Sequence, residues 1–402
     1  MASGTYDIIT VGGGLGGATL AKAMAEHGAR VLVLEREQHF KARIRGELLL
    51  PWGVVEARAL GIYELLRDTC GHEVPWFDTY LESMPTGHNN LPALTPQQAP
   101  SLTFYHPTLQ EVLLQAAADA GAEVRRGATV REVKRGTTPT VVVEQNGHIQ
   151  EIPARLIIGA DGRSSLVRKW ASLAVQRDPE RIFIAATLFE DMQIAQDTIP
   201  MLHNPSIGRM TILVPQGQGR VRVYFCYHKD TNLDRLQGAE DISRFIEESI
   251  KAGAVAKWYS GAKATGPLAT FDGADTWVPH PYRDGVALLG DAAASNDPSL
   301  GQGTCLTLRD VRVLRDKLRT FKDWNLAGHA YAEEHDRHYG VMHNVGNWFN
   351  DLFLEPGPEA EACRARAFPL LTQDPTRFLS HIFIGPDLPL DETVRRRFFG
   401  EE

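Results

Sequence analysis

Tyr6-Asp7-Ile8-Ile9-Thr10-Val11-Gly12-Gly13-Gly14-Leu15-Gly16-Gly17 opens the chain, and Arg30-Val31-Leu32-Val33-Leu34-Glu35 answers it. The first stretch is an apolar-rich strand running into a glycine cluster. A helix is predicted from about Leu15 to His27, with Ala18, Ala21, Met24 and Ala25 on one face and Gly28 ending it. The second stretch is another buried strand. Strand, helix and strand within about 30 residues make a βαβ unit, which requires a right-handed crossover and a parallel sheet. Gly12, Gly14 and Gly17 fit the G-x-G-x-x-G spacing. Gly12 allows a tight turn, Gly14 lets backbone approach a pyrophosphate, and Gly17 lets helix and strand pack closely. With Leu15 and Gly16 they open a helix whose N-terminus attracts phosphate charge. Glu35, 23 positions after Gly12, stands at the end of the second strand, where a carboxylate can accept from ribose hydroxyls. Arg36 beside it is a candidate adenine neighbour or a solvated surface residue.

The rest of the chain sets this unit in a larger frame. With 402 residues, 43% hydrophobic and 23% charged, the composition is that of a folded protein of two or three lobes. Forty-two Lys+Arg against 50 Asp+Glu give a charge of −8, which argues against a general nucleic-acid or anionic-membrane partner. Four scattered cysteines (Cys70, Cys226, Cys305, Cys363) show no C-x-x-C and no metal spacing, so neither a disulfide framework nor a bound metal is expected. No apolar run approaches the ~20 residues that span a bilayer, and structured chain begins at Tyr6, so a cytoplasmic location is expected. From Phe77 to Pro100 periodicity is lost and the chain is expected to leave the first lobe. Ile182–Phe189, then Met210–Val214 and Arg220–Tyr227 around Pro215-Gln216-Gly217-Gln218-Gly219, read as strands with a hairpin. Ile242, Phe245, Ile246 and Ile250 form a helical stripe expected to be capped by Asp241. The fold class is therefore α/β: a Rossmann-like nucleotide-binding domain with an inserted β-sheet domain and C-terminal helices. The expected boundaries are 1–76, 101–178 and 276–335 for the discontinuous nucleotide lobe, 77–100 and 179–275 for the β-rich substrate lobe, and 336–402 for the helical segment.

Two further segments repeat one pattern, a strand ending in small residues and an Asp, followed by a helix start. They are Ile157-Ile158-Gly159-Ala160-Asp161-Gly162 and Val286-Ala287-Leu288-Leu289-Gly290-Asp291, the second continuing to Asp297-Pro298-Ser299-Leu300-Gly301-Gln302-Gly303. A cofactor touched by three strand ends this far apart must be long, and FAD is. With the three segments in this order, residues 5–320 resemble the group A FAD-dependent monooxygenases of the p-hydroxybenzoate hydroxylase fold. The resemblance implies that Gly12, Gly14, Gly17 and Glu35 hold the ADP part of FAD, and that Asp291 contacts the ribityl–pyrophosphate region. It places Asp161 in a segment serving both FAD and NAD(P)H, Arg43 and Arg45 near the pyrophosphate, Val130 at the adenine and His106 near the flavin edge. It also sets Pro298, Gly301 and Gly303 beside the flavin ring, with the backbone N–H groups of Thr304 and Cys305 aimed at its N1/O2 edge. The family commonly has Asn at the position of Cys305, Arg or Gln at that of His106 and His at that of Ala294.

That resemblance implies an FAD-dependent monooxygenase in which NADPH or NADH reduces the flavin and O2 gives a C4a-hydroperoxide. The product is a hydroxylated, or epoxidised, small aromatic or polyketide-like substrate. The chain would work as a monomer or homodimer. The W-x-W-x-I-P motif of flavin-dependent halogenases and the Y-x-W-x-F-P-like motif of geranylgeranyl-reductase relatives do not occur in the sequence. Alternation along Arg220–His228 puts Arg222, Tyr224, Cys226 and His228 on one face and Val221, Val223, Phe225 and Tyr227 on the other. Tyr224, Arg222 and His228 are therefore the candidate substrate-contacting groups, against a solvated sheet face. His343, Trp348 and Phe349 are expected chiefly to pack the tail helices. Two other functions stay open: an FAD oxidoreductase that inserts no oxygen, and a flavin-binding protein without turnover.

Overall fold

The computed structural model describes residues 6–402. Its first sheet runs, in spatial order, Tyr282–Arg283, Val286–Leu288, His148–Gly159, Tyr6–Val11, Val31–Glu35 and Glu123–Arg126, and all but the first pair are parallel. Both faces are covered, as a parallel sheet requires. Ile8, Val31, Val33, Leu156 and Ile158 pack beneath the helices Leu15–Ala25, His106–Asp119 and Gly303–Thr320. Ile9, Val11, Leu32, Leu34 and Ile157 face the opposite way, against Val133, Val141, Val143 and Ile152 of an antiparallel meander.

A second sheet runs Lys263–Ala264, Ile182–Glu190, Arg220–His228, Arg209–Pro215, Thr198–Asn204, Trp76–Leu81 and Met84–Asn90. Only the pairing of Thr198–Asn204 with Trp76–Leu81 is parallel. The stretch after Phe77, where periodicity is lost, thus forms an edge hairpin. Its tip, Glu82-Ser83, has φ of 48° and 68°, which the two-residue hairpin turn demands although neither residue is Gly or Asn. An edge strand with one solvated face carries no full apolar stripe, so its signal is weak.

The alternation read along Arg220–His228 sorts the faces as expected. Ala185, Phe189, Val221, Val223, Phe225 and Tyr227 lie under Phe245 of the helix Ile242–Lys251. Asp241 starts that helix without capping it; its carboxylate turns back to accept the Gln237 N–H at 2.9 Å. The other face, with Ile184, Met201, Met210, Ile212 and Cys226, joins the main core beneath the long helix Trp324–Phe353. Phe349 packs there against Phe353 and His203. The helix Pro358–Gln373 and the short Glu392–Phe398 complete the tail. No helix among the described residues is long and apolar enough to cross a membrane.

Phe245 is fully buried and bridges helix and sheet through Phe189 and Phe225. Phe245→Ala is expected to cost about 3–5 kcal/mol through lost transfer energy and the cavity left behind. A urea titration showing a loss of less than about 1 kcal/mol would contradict this packing.

Candidate functional site

Two positions of the first glycine turn admit no side chain. A Cβ on Gly17 would run onto the Gly12 carbonyl oxygen, and one on Gly12, at φ +104°, onto that of Ala160. Gly14 is the extended residue preceding the helix and caps it with no side chain, so the first-turn N–H groups have no intrahelical acceptor. Glu35 is nearly buried, and its two oxygens accept the Gly13 and Glu37 N–H groups, each at 2.8 Å. That leaves carboxylate lone pairs for a further donor. A dinucleotide fits these features: bare backbone, a helix N-terminus, and a fixed acid one strand away.

Around this turn the other site residues divide. Arg45 reaches Asp291, 3.6 Å away, across the mouth of the cleft. Arg43 lies on Glu37 at 2.9 Å, and Arg36 is two-thirds exposed beside the same carboxylate, the solvated alternative. Val130 stands two residues beyond Ala128, whose N–H is bonded to the Glu35 carbonyl at 3.0 Å. The turn Pro298–Leu300 ends at Gly301 with φ +66°, and the helix from Gly303 follows. Thr304 bonds the Leu48 carbonyl through its hydroxyl, and a Cβ on Gly46 would meet the Thr304 methyl at 2.8 Å. The Arg43–Gly46 segment and the start of the Gly303–Thr320 helix therefore close on each other. His106 begins its helix with Nδ1 at 2.8 Å from the Gly46 carbonyl. Burial pushes its pKa down to about 4, so the ring is neutral and donates through Nδ1.

Two expectations need correcting, those for Asp161 and His228. Asp161 does not offer an open carboxylate: it accepts from Ser165 Oγ at 2.6 Å and from the Leu166 and Val167 N–H groups, capping its own helix. Cys305 points away from the cleft, its sulfur seated against Gly53 and receiving the Leu50 N–H at 3.4 Å, so only its backbone is available. His228 lies at the far end of its strand, where it accepts the Asp230 N–H and sits 3.5 Å from Glu355 of the tail.

Arg222 and Tyr224 do meet near the cleft, through a residue the sequence did not single out. Glu47, one residue past Gly46, is 1% exposed and takes Arg222 in a two-point ion pair (2.7 and 3.1 Å). Gln216 donates to the same carboxylate, and Tyr224 bonds the Arg45 carbonyl at 2.8 Å with Glu47 3.4 Å away. Burial alone would lower the Arg222 pKa, but the Glu47 carboxylate outweighs it and raises it. Desolvation, reinforced by Glu47, drives the Tyr224 phenol well above its ordinary value, so it stays a neutral donor. The one signal available was an acid next to the arginine stretch; that it faces Arg222 is a long-range fact.

Glu47→Ala leaves Arg222 buried without its partner and is expected to cost about 3–5 kcal/mol. Glu47→Leu combined with Arg222→Met should recover most of that loss in the same denaturant titration, because an apolar pair needs no compensation. Equal destabilisation by the single and double variants would contradict the ion-pair account.

The FAD binding domain family matches residues 5–340. Rifampicin monooxygenase of Streptomyces venezuelae is 27% identical over 88% of this chain and 73% of its own length. 6-Methylpretetramide 4-monooxygenase of Streptomyces rimosus is 28% identical over 97% and 94%. A digeranylgeranylglycerophospholipid reductase of Methanosphaerula palustris is 26% identical over 74% and 72%. The p-nitrophenol 4-monooxygenase PnpA of Pseudomonas putida superposes with a TM-score of 0.80 at 18% identity, covering 96% of this chain and 99% of that one. The chain belongs to the FAD binding domain family and has the fold of the group A flavin monooxygenases.

Proposed function

We propose that this chain is an FAD-dependent monooxygenase that uses NADPH or NADH and O2 to hydroxylate or epoxidise a small aromatic or polyketide-like substrate. The carrying observation is that the Gly12–Gly17 turn, Glu35 and the turn bearing Asp291 stand at the ends of neighbouring parallel strands, although nearly 300 residues apart in sequence. Bound there, FAD supplies the redox chemistry and the activation of O2. The protein supplies placement. The N-terminal N–H groups of the Leu15–Ala25 helix would hold the pyrophosphate, and those of Thr304 and Cys305 in the Gly303–Thr320 helix would favour negative charge on the flavin. The neutral ring of His106 fixes Gly46 without adding charge. The tail seals the flavin side: Gln302 donates to the Ile382 carbonyl at 3.2 Å and accepts from Trp52 Nε1 at 3.0 Å.

The substrate would lie beside the end of the second sheet that carries Tyr224, whose hydroxyl is held by the Arg45 carbonyl with Glu47 3.4 Å away. Arg222 is already matched by Glu47, so it is not a free anchor for a carboxylate. That favours a neutral, largely apolar substrate, in keeping with the polyketide-modifying relatives. All four cysteines are free thiols, which suits a reducing compartment.

The reductase relative supports a second reading, electron transfer without oxygen insertion. Turnover of phenolic and polyketide candidates under 18O2 separates the two. The monooxygenase places one 18O atom in product and consumes NAD(P)H only with O2. Undiminished anaerobic turnover with no label would establish the reductase, and purified protein without flavin would remove both.

A further inference from the structure

The turn that carries Asp291 is held from behind by a buried cluster outside the cleft. Asp310, 1% exposed on the Gly303–Thr320 helix, accepts the Gly290 N–H through Oδ2 at 3.0 Å. Its Oδ1 receives two imidazoles of the Trp324–Phe353 helix, His335 Nδ1 at 2.8 Å and His338 Nε2 at 3.0 Å. One turn earlier on that helix, Tyr331 donates to the Leu288 carbonyl at 2.6 Å, tying down the strand that feeds the same turn. Gly290 has φ +56°, and a Cβ there would meet Thr307 Oγ1 at 2.8 Å, so the turn is seated directly on the helix bearing Asp310.

We propose that His335 is a positioning residue for the cofactor: its cation holds Asp310 on the Gly290 N–H, which fixes Asp291 at the cleft and strengthens FAD retention. This rests on the FAD reading of Asp291. The ring nitrogens facing away, His335 Nε2 and His338 Nδ1, have no partner among the described residues. A histidine that ligates a metal ordinarily donates its second N–H to an acceptor, so these contacts are those of hydrogen bonds onto a carboxylate. One carboxylate compensates one cation, so the cluster holds a single proton in excess. Burial disfavours charge on both rings, but the Asp310 carboxylate and its hydrogen bond outweigh that for His335, whose pKa is raised. For His338 burial wins, helped by the neighbouring His335 and Arg309 cations, and its pKa is lowered. Asp310 stays well below the usual carboxylate range despite its burial, held there chiefly by His335.

The other groups facing the cluster do not change the sign. On its own helix Arg309 is paired with Glu56, at 2.6 Å, and with Asp387, at 2.7 Å. From the long helix come Asp336, which favours the His335 cation, Glu334, which interacts with His338, and the neutral phenols of Tyr331 and Tyr339. A raised folded pKa means that the contribution is complete below the unfolded value of about 6.5 and fades as pH rises through the folded value.

The test is the FAD dissociation constant of the holoenzyme, followed by flavin fluorescence on dilution across pH 6 to 9. In the native protein it should rise toward alkaline pH as the cation, held more firmly in the flavin-loaded protein, is lost. His335→Asn keeps an N–H donor for Asp310 but cannot carry charge, so its dissociation constant should be higher at pH 6 and nearly flat. His338→Gln replaces a neutral donor with a neutral donor and should keep the native slope. A purely structural role would shift thermal stability in both variants and leave their slopes equal to the native one. A flat native profile, or a native slope in His335→Asn, would overturn the proposal. Absence of flavin from the native protein would instead overturn the FAD reading.

Discussion

Two backbone oxygens set the terms for the site. The Gly12 carbonyl lies where a side chain at residue 17 would go, and the Ala160 carbonyl lies where one at residue 12 would go. The first helix can therefore sit directly on the first strand, and the first strand beside the strand ending at Gly159. Register follows: Gly12 N–H bonds the Leu34 carbonyl and Ala160 N–H that of Val11, both at 2.9 Å. Leu289 N–H bonds the Gly159 carbonyl at 2.9 Å, which adds the fourth segment. Strand ends scattered from residue 11 to 289 thus finish at one level, and Glu35 and Asp291 become neighbours of one cleft. A parallel sheet with helices on one face places ligands at such carboxyl ends because helix N-termini gather there.

Joining the second sheet to this cleft is an electrostatic matter. Glu47 extends the cofactor-side segment into the sheet's inner face and meets Arg222, Gln216 and Tyr224 there. An ion pair in such a place contributes little net stability compared with an apolar pair, because both charges have lost their water. Its geometry is narrow, however, and an apolar contact could slide. Two parallel hydrogen bonds onto a planar guanidinium permit one orientation of the Arg43–Glu47 segment's end relative to the sheet. The same carboxylate also neutralises the buried cation on that face.

Local rules carried the sequence reading where the structure is local. The glycine spacing, the helix after it and the two-faced strand Arg220–His228 are dictated by contacts within a few residues or by simple period, and they were legible. Asp161 is read by the position of its motif, yet its side-chain direction is decided by nearer partners, three donors within six residues. Asp241 lost its cap to a turn N–H four residues back. Glu47, Asp275 and Asp310 were invisible for a different reason. Each is a lone acid in sequence whose role is defined by partners 20 to 175 positions away.

The long helix Trp324–Phe353 shows how such distant pairings make one device. His335, Tyr339 and His343 recur every fourth residue and so stack along one helix face, with ring planes 8° and 9° apart. Each ring reaches a different carboxylate. His335 holds Asp310 and through it Gly290; Tyr339 holds Asp275, 2.9 Å away, which accepts the Asp297 N–H at the start of the flavin-side loop. His343 holds Asp178 at 2.6 Å, at the rim of a cleft of about 270 Å³ that leads to Asp297. Farther along, Asn350 donates to the Asp297 carboxylate at 2.9 Å. Periodicity in the tail reads as ordinary helix packing because its partners are loops rather than an apolar stripe. Yet the Gly290 turn and the loop beginning at Asp297 are both fixed by this one helix, which ties its hydrogen-bonded chains directly to the turn bearing Asp291.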